Sequence, residues 1–285
     1  MIGEIISLLP ALAWAITPIL YRRGTKTLSP IYGNTLRAIP SMFIALAASF
    51  LYLGVNATLS IPTQLSVACI ISGVVGLGLG DLMYLYSIKH IGASKAVTIS
   101  STYPIITLVA SNFLLGEGIG WFVVIGTVFA VAGISLISFN DNVLKLEVKG
   151  ILTSTLASVF WSMSIILLKI TPYDANVLAI NSWRLVGFCL FSMIPSVLLY
   201  YRSGSFNINK DAIIYLGSGS IIALNLGWFL FLYGIDLIGI ARATTLSSVS
   251  PLFTAVAEFI MNRHFDIRIL LGTILTTVGI VLVTI

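Results

Sequence analysis

Residues 86–104, "YSIKHIGASKAVTISSTYP", return 147 positions later as residues 233–251, "YGIDLIGIARATTLSSVSP". Tyr, Gly, a basic residue, Thr, a Ser-Ser pair and Pro recur in place without a gap. Working outward at the same offset, Gly3 meets Gly150, Ser7 meets Ser154, Trp14 meets Trp161, Asn34 meets Asn181, Arg37 meets Arg184 and Gly80 meets Gly227. After a one-residue slip, Gly126 and Gly133 meet Gly272 and Gly279. Chance alignment of apolar sequence pairs Leu with Ile, but it rarely pairs Trp, Arg, Asn and Pro so consistently. The chain therefore reads as a duplication, with one copy at 1–140 and the other at 148–285.

Of the 285 residues 58% are apolar and only 9% charged, against roughly one quarter charged in soluble domains. Apolar runs of about 18 or more residues cross a bilayer core of about 30 Å as helices. Ten such runs are present: about 2–20, 31–53, 65–88, 96–115, 120–139, 150–170, 177–201, 211–235, 241–261 and 267–285. The expected fold class is an all-α membrane protein whose ten transmembrane helices form two inverted five-helix repeats. Five is odd, so the second copy must enter the membrane from the opposite side. Inverted repeats of this kind are typical of secondary transporters, with the substrate site near the midplane between the copies.

The first residues, "MIGEIISLLPALAWAITPIL", have neither a basic n-region nor a small-residue cleavage site, so they read as a retained span. Cys69 and Cys189 both fall inside spans and read as packing residues, with no disulfide or metal expected. The net charge of +5 requires no nucleic-acid partner, because its distribution accounts for it. Loops after odd-numbered spans carry Arg22, Arg23, Lys26, Lys89, Lys95, Lys145, Lys149, Arg202, Lys210, Arg263 and Arg268, whereas those after even-numbered spans carry only Lys169 and Arg242. By the positive-inside rule the odd loops are cytoplasmic and both termini lie outside.

"LAWAITPIL" and "VFWSMSIIL", an Arg early in the second span of each copy, and the repeated Tyr–Gly–basic–Ser-Ser–Pro array running on to Gly116-Glu117 together resemble the EamA-type family of the drug/metabolite transporter superfamily. The resemblance covers both copies. The second copy departs from it, with "MNRHF" where such proteins often carry another Gly-Glu. The resemblance implies a ten-helix exporter of amino acids, metabolites or foreign compounds, and termini in the cytoplasm, which conflicts with the charge count.

Ionisable groups inside a membrane are costly unless paired or wetted, so each is a functional candidate. Arg37 and Asp81 fall at similar depth from the same face and are expected to form an ion pair or share a wet pocket, unless Arg37 snorkels to the surface. Arg184 has Trp228, not an acid, at the position equivalent to Asp81. Either Asp174 or Asp236 reaches it from the helix end, or its guanidinium faces an anionic group of the substrate. Glu258 is expected to pair with Arg263 at a helix end.

Trp14, Trp161 and Trp228, with Tyr84, Tyr103 and Tyr233, are candidates for an aromatic cavity. Asn34 and Asn181 accompany the two arginines. Ser101 and Ser248, beside Ser100, Ser247 and Ser250, flank Pro104 and Pro251, where a missing helix hydrogen bond frees a carbonyl for a hydroxyl or a ligand. Gly73, Gly76, Gly78 and Gly80 superficially suggest a dinucleotide loop, but no strand precedes them, and close helix packing is the better reason.

No nucleotide-binding loop and no His–acid or Cys–His pair is evident in the spans, so an enzyme is not expected, nor any cofactor or metal. The expected function is secondary transport, exporting amino acids, small metabolites or drugs by alternating access. The alternatives are an importer or exchanger of phosphorylated or sugar metabolites, and a non-coupled pore. The expected partners are a small-molecule substrate and the lipid bilayer of the cell membrane, crossed many times by a monomeric chain.

Overall fold

The computed structural model describes residues 2–26, 28–116, 118–138, 148–170, 175–204, 208–250, 252–253 and 267–284, and these are almost wholly helical. In chain order the helices are α1 (Ile2–Gly24), α2 (Pro30–Leu53), α3 (Val55–Leu59), α4 (Thr63–Ile91), α5 (Ala93–Ser100), α6 (Tyr103–Leu115), α7 (Trp121–Ser138), α8 (Val148–Ile170), α9 (Val177–Ser203), α10 (Lys210–Ile238), α11 (Ile240–Ser247) and α12 (Ile267–Thr284). Among the described residues six of these, α1, α2, α4, α8, α9 and α10, are long and apolar enough to cross a membrane. Tyr103–Leu115, Trp121–Leu136 and Ile274–Val283 are shorter apolar helices. Glu117, Asp174, Pro251, Glu258, Arg263 and His264 lie outside the described residues.

Capping residues set several boundaries. The Ser29 and Asn176 side chains accept from the backbone N–H of Ile31 and Leu178, starting α2 and α9. Gly92 and Gly239, equivalent in the two copies, have φ of 84° and 82° and end α4 and α10. Only glycine adopts that backbone freely, which is why both copies of the opening stretch carry it.

The faces of α1 show what surrounds the molecule. Ile2, Ile5, Leu9, Leu12, Ile16 and Ile19 recur every three or four residues and are all exposed, while Gly3, Ser7, Ala11 and Ala15 are buried. Small residues inside and large aliphatic ones outside reverse the pattern of a water-soluble helix and suit packing in lipid.

The packing recurs with the copies exchanged. α1 lies on α10 and α8 lies on α4, while α2 pairs with α9 and α7 with α12. A Cβ added to Gly80 would meet the Trp161 ring at 2.8 Å, and one added to Gly227 would meet the Trp14 ring at 2.6 Å. Gly3 abuts Ile238 as Gly150 abuts Ile91. In the α7–α12 pair, Gly126 faces the Gly279 carbonyl and Gly133 faces that of Gly272, each 2.6 Å from an added Cβ.

Three features depart from the sequence reading. The fourth span is broken, with α5 and α6 separated by a turn at Ser101 and Thr102. Pro104 lacks the N–H that would reach the Ser100 carbonyl, and Ser158 of α8 donates to that carbonyl at 3.1 Å instead. The third and eighth spans contain π-helical segments at Gly73–Gly80 and Ile221–Gly227. The short α3 between the second and third spans has no counterpart among the ten apolar runs.

Candidate functional site

The two π segments end at equivalent positions, immediately before Asp81 and Trp228. A π turn is a local widening of an α-helix found often at functional sites. The second-span asparagines brace both segments: Asn34 Nδ2 donates to the Gly78 carbonyl at 3.0 Å and Asn181 Nδ2 to that of Leu224 at 3.1 Å. Asn34 and Asn181 are 2% and 3% exposed and do not line the cavity described below, so their observed role is to hold the π segments. Asn34→Ala is expected to cost ~1–3 kcal/mol, because Arg37 Nη1 also donates to Asn34 Oδ1. Asn181→Ala should cost less, since Arg184 makes no such bond. Thermal unfolding of both variants in one detergent checks the order.

A cavity of about 80 Å³ lies between the copies. Its walls come from α1, α2, α4, α5, α6, α8, α10, α11 and the residues just after α5 and α11, leaving α7 and α12 outside it. Of the residues singled out in the sequence, it is lined by Trp14, Arg37, Asp81, Tyr84, Ser100, Ser101, Tyr103, Trp161, Trp228, Ser247, Ser248 and Ser250.

Arg37 is 1% exposed and does not snorkel. Its Nη2 donates to Asp81 Oδ2 at 2.7 Å and to the Tyr21 hydroxyl at 3.1 Å, and its guanidinium lies 4.1 Å from the centre of the Tyr21 ring. The other Asp81 oxygen accepts from Trp161 Nε1 at 2.8 Å. Tyr21 in turn donates to the Gly219 carbonyl at 3.2 Å. The acid thus ties α4 to α2 within its own copy and to α8 of the other, and the tyrosine ties α1 to α10.

The aromatic lining is built by repeat-related residues. Tyr84 packs edge-on against Trp161 at 5.1 Å, and Phe231, its equivalent, packs edge-on against Trp14 at 5.4 Å. Where Asp81 bonds Trp161, Trp228 instead packs its ring against Trp14 at 5.7 Å, and Trp14 Nε1 donates to the Ala223 carbonyl at 3.3 Å. Tyr103 shares a 2.8 Å hydrogen bond with Ser247 across the copies. The result is a cavity with two aromatic clusters, Tyr84–Trp161–Tyr103 beside the Arg37–Asp81 pair and Trp14–Trp228–Phe231 with no charged group in the wall beside it.

Arg184 is fully buried but stands behind this wall rather than in it. Its guanidinium lies 4.0 Å from the centre of the Trp228 ring, Nε donates to Ser72 Oγ and Nη2 to Ser164 Oγ, both at 3.1 Å. Nη1 has no partner. Asp236 does not reach it; that residue is exposed at the far end of α10. Tyr233 is also off the wall, 40% exposed and stacked on Phe229. The sequence reading missed Tyr21, Thr17 and Phe231, which all line the cavity. Phe231 was within reach, since it stands at the repeat position of Tyr84. Tyr21 was not, because its equivalent is Leu168.

The pattern of the EamA-like transporter family matches residues 1–139 and again residues 148–285. The chain belongs to that family. An "Uncharacterized transporter" of Archaeoglobus fulgidus is 25% identical over 283 residues, covering 99% of this chain and 98% of its own. "Uncharacterized transporter YoaV" of Bacillus subtilis is 24% identical over 282 residues, covering 94% and 92%. A solved crystal structure superposes with a TM-score of 0.73 at 19% identity, over 99% of this chain and 97% of that one, which establishes likeness of fold. Family membership and the long apolar helices make this EamA-like protein a multi-pass membrane transporter.

Proposed function

We propose that this EamA-like protein is a secondary transporter that moves amino acids or small metabolites outward by alternating access. The ten spans are read as two inverted five-helix repeats, 1–140 and 148–285, that rock about the cavity between them. Trp14, Trp161, Trp228, Tyr84 and Tyr103 present ring faces and edges to an amphipathic solute. The Arg37–Asp81 pair, Ser101 and Ser248 offer polar contacts, while Asn34 and Asn181 act indirectly by fixing the π segments beside Asp81 and Trp228. Arg184 stands behind the wall, against Trp228.

The observation that carries this reading is the cavity lined by both copies, which the Asp81–Trp161, Tyr21–Gly219 and Tyr103–Ser247 bonds join. All three join one copy to the other, so rocking the copies apart on either side must exchange them. Counterflow of labelled amino acids and sugar phosphates in proteoliposomes tests it. Saturable flux, accelerated by unlabelled substrate on the far side, is the expected result. Flux that rises linearly with concentration and shows no counterflow would instead identify a pore.

A further inference from the structure

Arg184 is the one cation in the described residues that is wholly buried without an acid: Arg37, the other buried arginine, has Asp81. Its two hydrogen-bonded partners, Ser72 and Ser164, are neutral, and they also bond each other, with their hydroxyls 2.8 Å apart. Nη1 remains a buried donor with nothing to donate to. A full charge held this way is strongly unfavourable unless an anion joins it at some stage of the protein's cycle. The indole of Trp228 lines the cavity and carries the guanidinium against its ring. Trp228 also directly follows the π segment Ile221–Gly227, a locally widened stretch of helix of the kind that occurs often at functional sites.

We infer that Arg184, with Ser72 and Ser164, forms an anion subsite behind Trp228 that takes the carboxylate of the transported substrate when the indole turns aside. The inference rests on the cavity being the substrate site. A planar carboxylate suits the guanidinium fork, with Nη1 free to be the first donor. The Ser72 and Ser164 hydroxyls donate to each other's backbone carbonyls at 2.9 and 2.8 Å and accept from the guanidinium, so they hold Arg184 in place while its own N–H groups meet the carboxylate. Asp81 acts on Arg184 only through space and makes no hydrogen bond to it, since its oxygens are engaged by Arg37 and Trp161. The Arg37–Asp81 pair thus stays neutral overall, and the net positive charge lies against Trp228 in the other aromatic cluster.

Equilibrium binding to the full chain in detergent, in chloride-free buffer, tests this with radiolabelled phenylacetate and its neutral isostere phenylacetamide. The wild-type protein is expected to prefer the acid by about tenfold or more, the discrimination given by a charge-assisted hydrogen bond. Arg184→Gln should abolish the preference and Arg184→Lys should keep part of it. Trp228→Ala leaves the cation and removes its cover, and is expected to raise the acid-to-amide ratio by about threefold or more. That variant keeps the test decisive if Arg184→Gln does not fold. Equal binding of acid and amide by the wild type, a preference surviving in Arg184→Gln, or an unchanged ratio in Trp228→Ala overturns the inference. Chloride that displaces phenylacetate where no acid preference exists also overturns it, and marks an inorganic-anion site. Because binding is read without flux, a carboxylate preference with no counterflow sinks the transport reading alone, and saturable counterflow without the preference sinks the subsite alone.

Discussion

Asp81→Asn is expected to destabilise the protein by ~3–5 kcal/mol, the usual effect of removing one partner from a buried ion pair. The substitution preserves volume and can still accept from Trp161, so the loss isolates the charge. Arg37, 1% exposed, would then sit in the membrane interior with the neutral Asn34 and Tyr21 as its remaining hydrogen-bond partners. The double variant Arg37→Met, Asp81→Leu removes both charges and should recover most of that loss, because apolar replacement of a whole buried pair is often neutral. Thermal unfolding in detergent separates the cases. An Asp81→Asn variant as stable as wild type, or a double variant less stable than the single, would show that the pair does not hold the fold. Counterflow by the double variant then reports whether the charges are also needed for transport.

The second large effect is expected at Gly73. A Cβ there would clash with the Arg184 carbonyl oxygen, and across the same crossing a Cβ on Gly187 would clash with that of Ile70. Neither neighbour is a flexible side-chain tip, so α4 and α9 must separate. Gly73→Ala should therefore cost ~3 kcal/mol or more, at or beyond the top of the usual overpacking range. Separation also moves Ser72 and Arg184, so the carboxylate preference should weaken together with stability. Gly217→Ala is the control: nothing lies within 4 Å of its Cβ, and a helical Gly-to-Ala change in open space gains ~0.5–1 kcal/mol. Equal melting temperatures for the two variants would disprove close packing at the Gly73 crossing.

The glycines show how far a sequence can be read. Gly73, Gly76, Gly78 and Gly80 were legible as a packing face, since small residues let membrane helices approach closely. Their second role, as a π segment braced by the Asn34 amide of another helix, was not, because that contact is made only in the packed structure. Pro104 likewise announced a freed carbonyl. That Ser158 of the other copy would satisfy it, rather than the adjacent Ser100 and Ser101, depended on how α8 packs.

The arginines mark the boundary between the two kinds of information. Residue identities at a fixed offset determined the duplication and the family resemblance, and composition determined the membrane character. Depth placed Arg37 level with Asp81 while leaving an ion pair, a shared wet pocket or snorkelling open. That much was legible because periodicity and depth along a helix are one-dimensional properties. The side of the cavity wall on which Arg184 lies is set by the rotation of α9 and the position of the Trp228 ring. Only tertiary packing fixes those two, and it set a charge pair beside the aromatic cluster at Asp81 and none in the wall beside the one at Trp228, from otherwise matching halves.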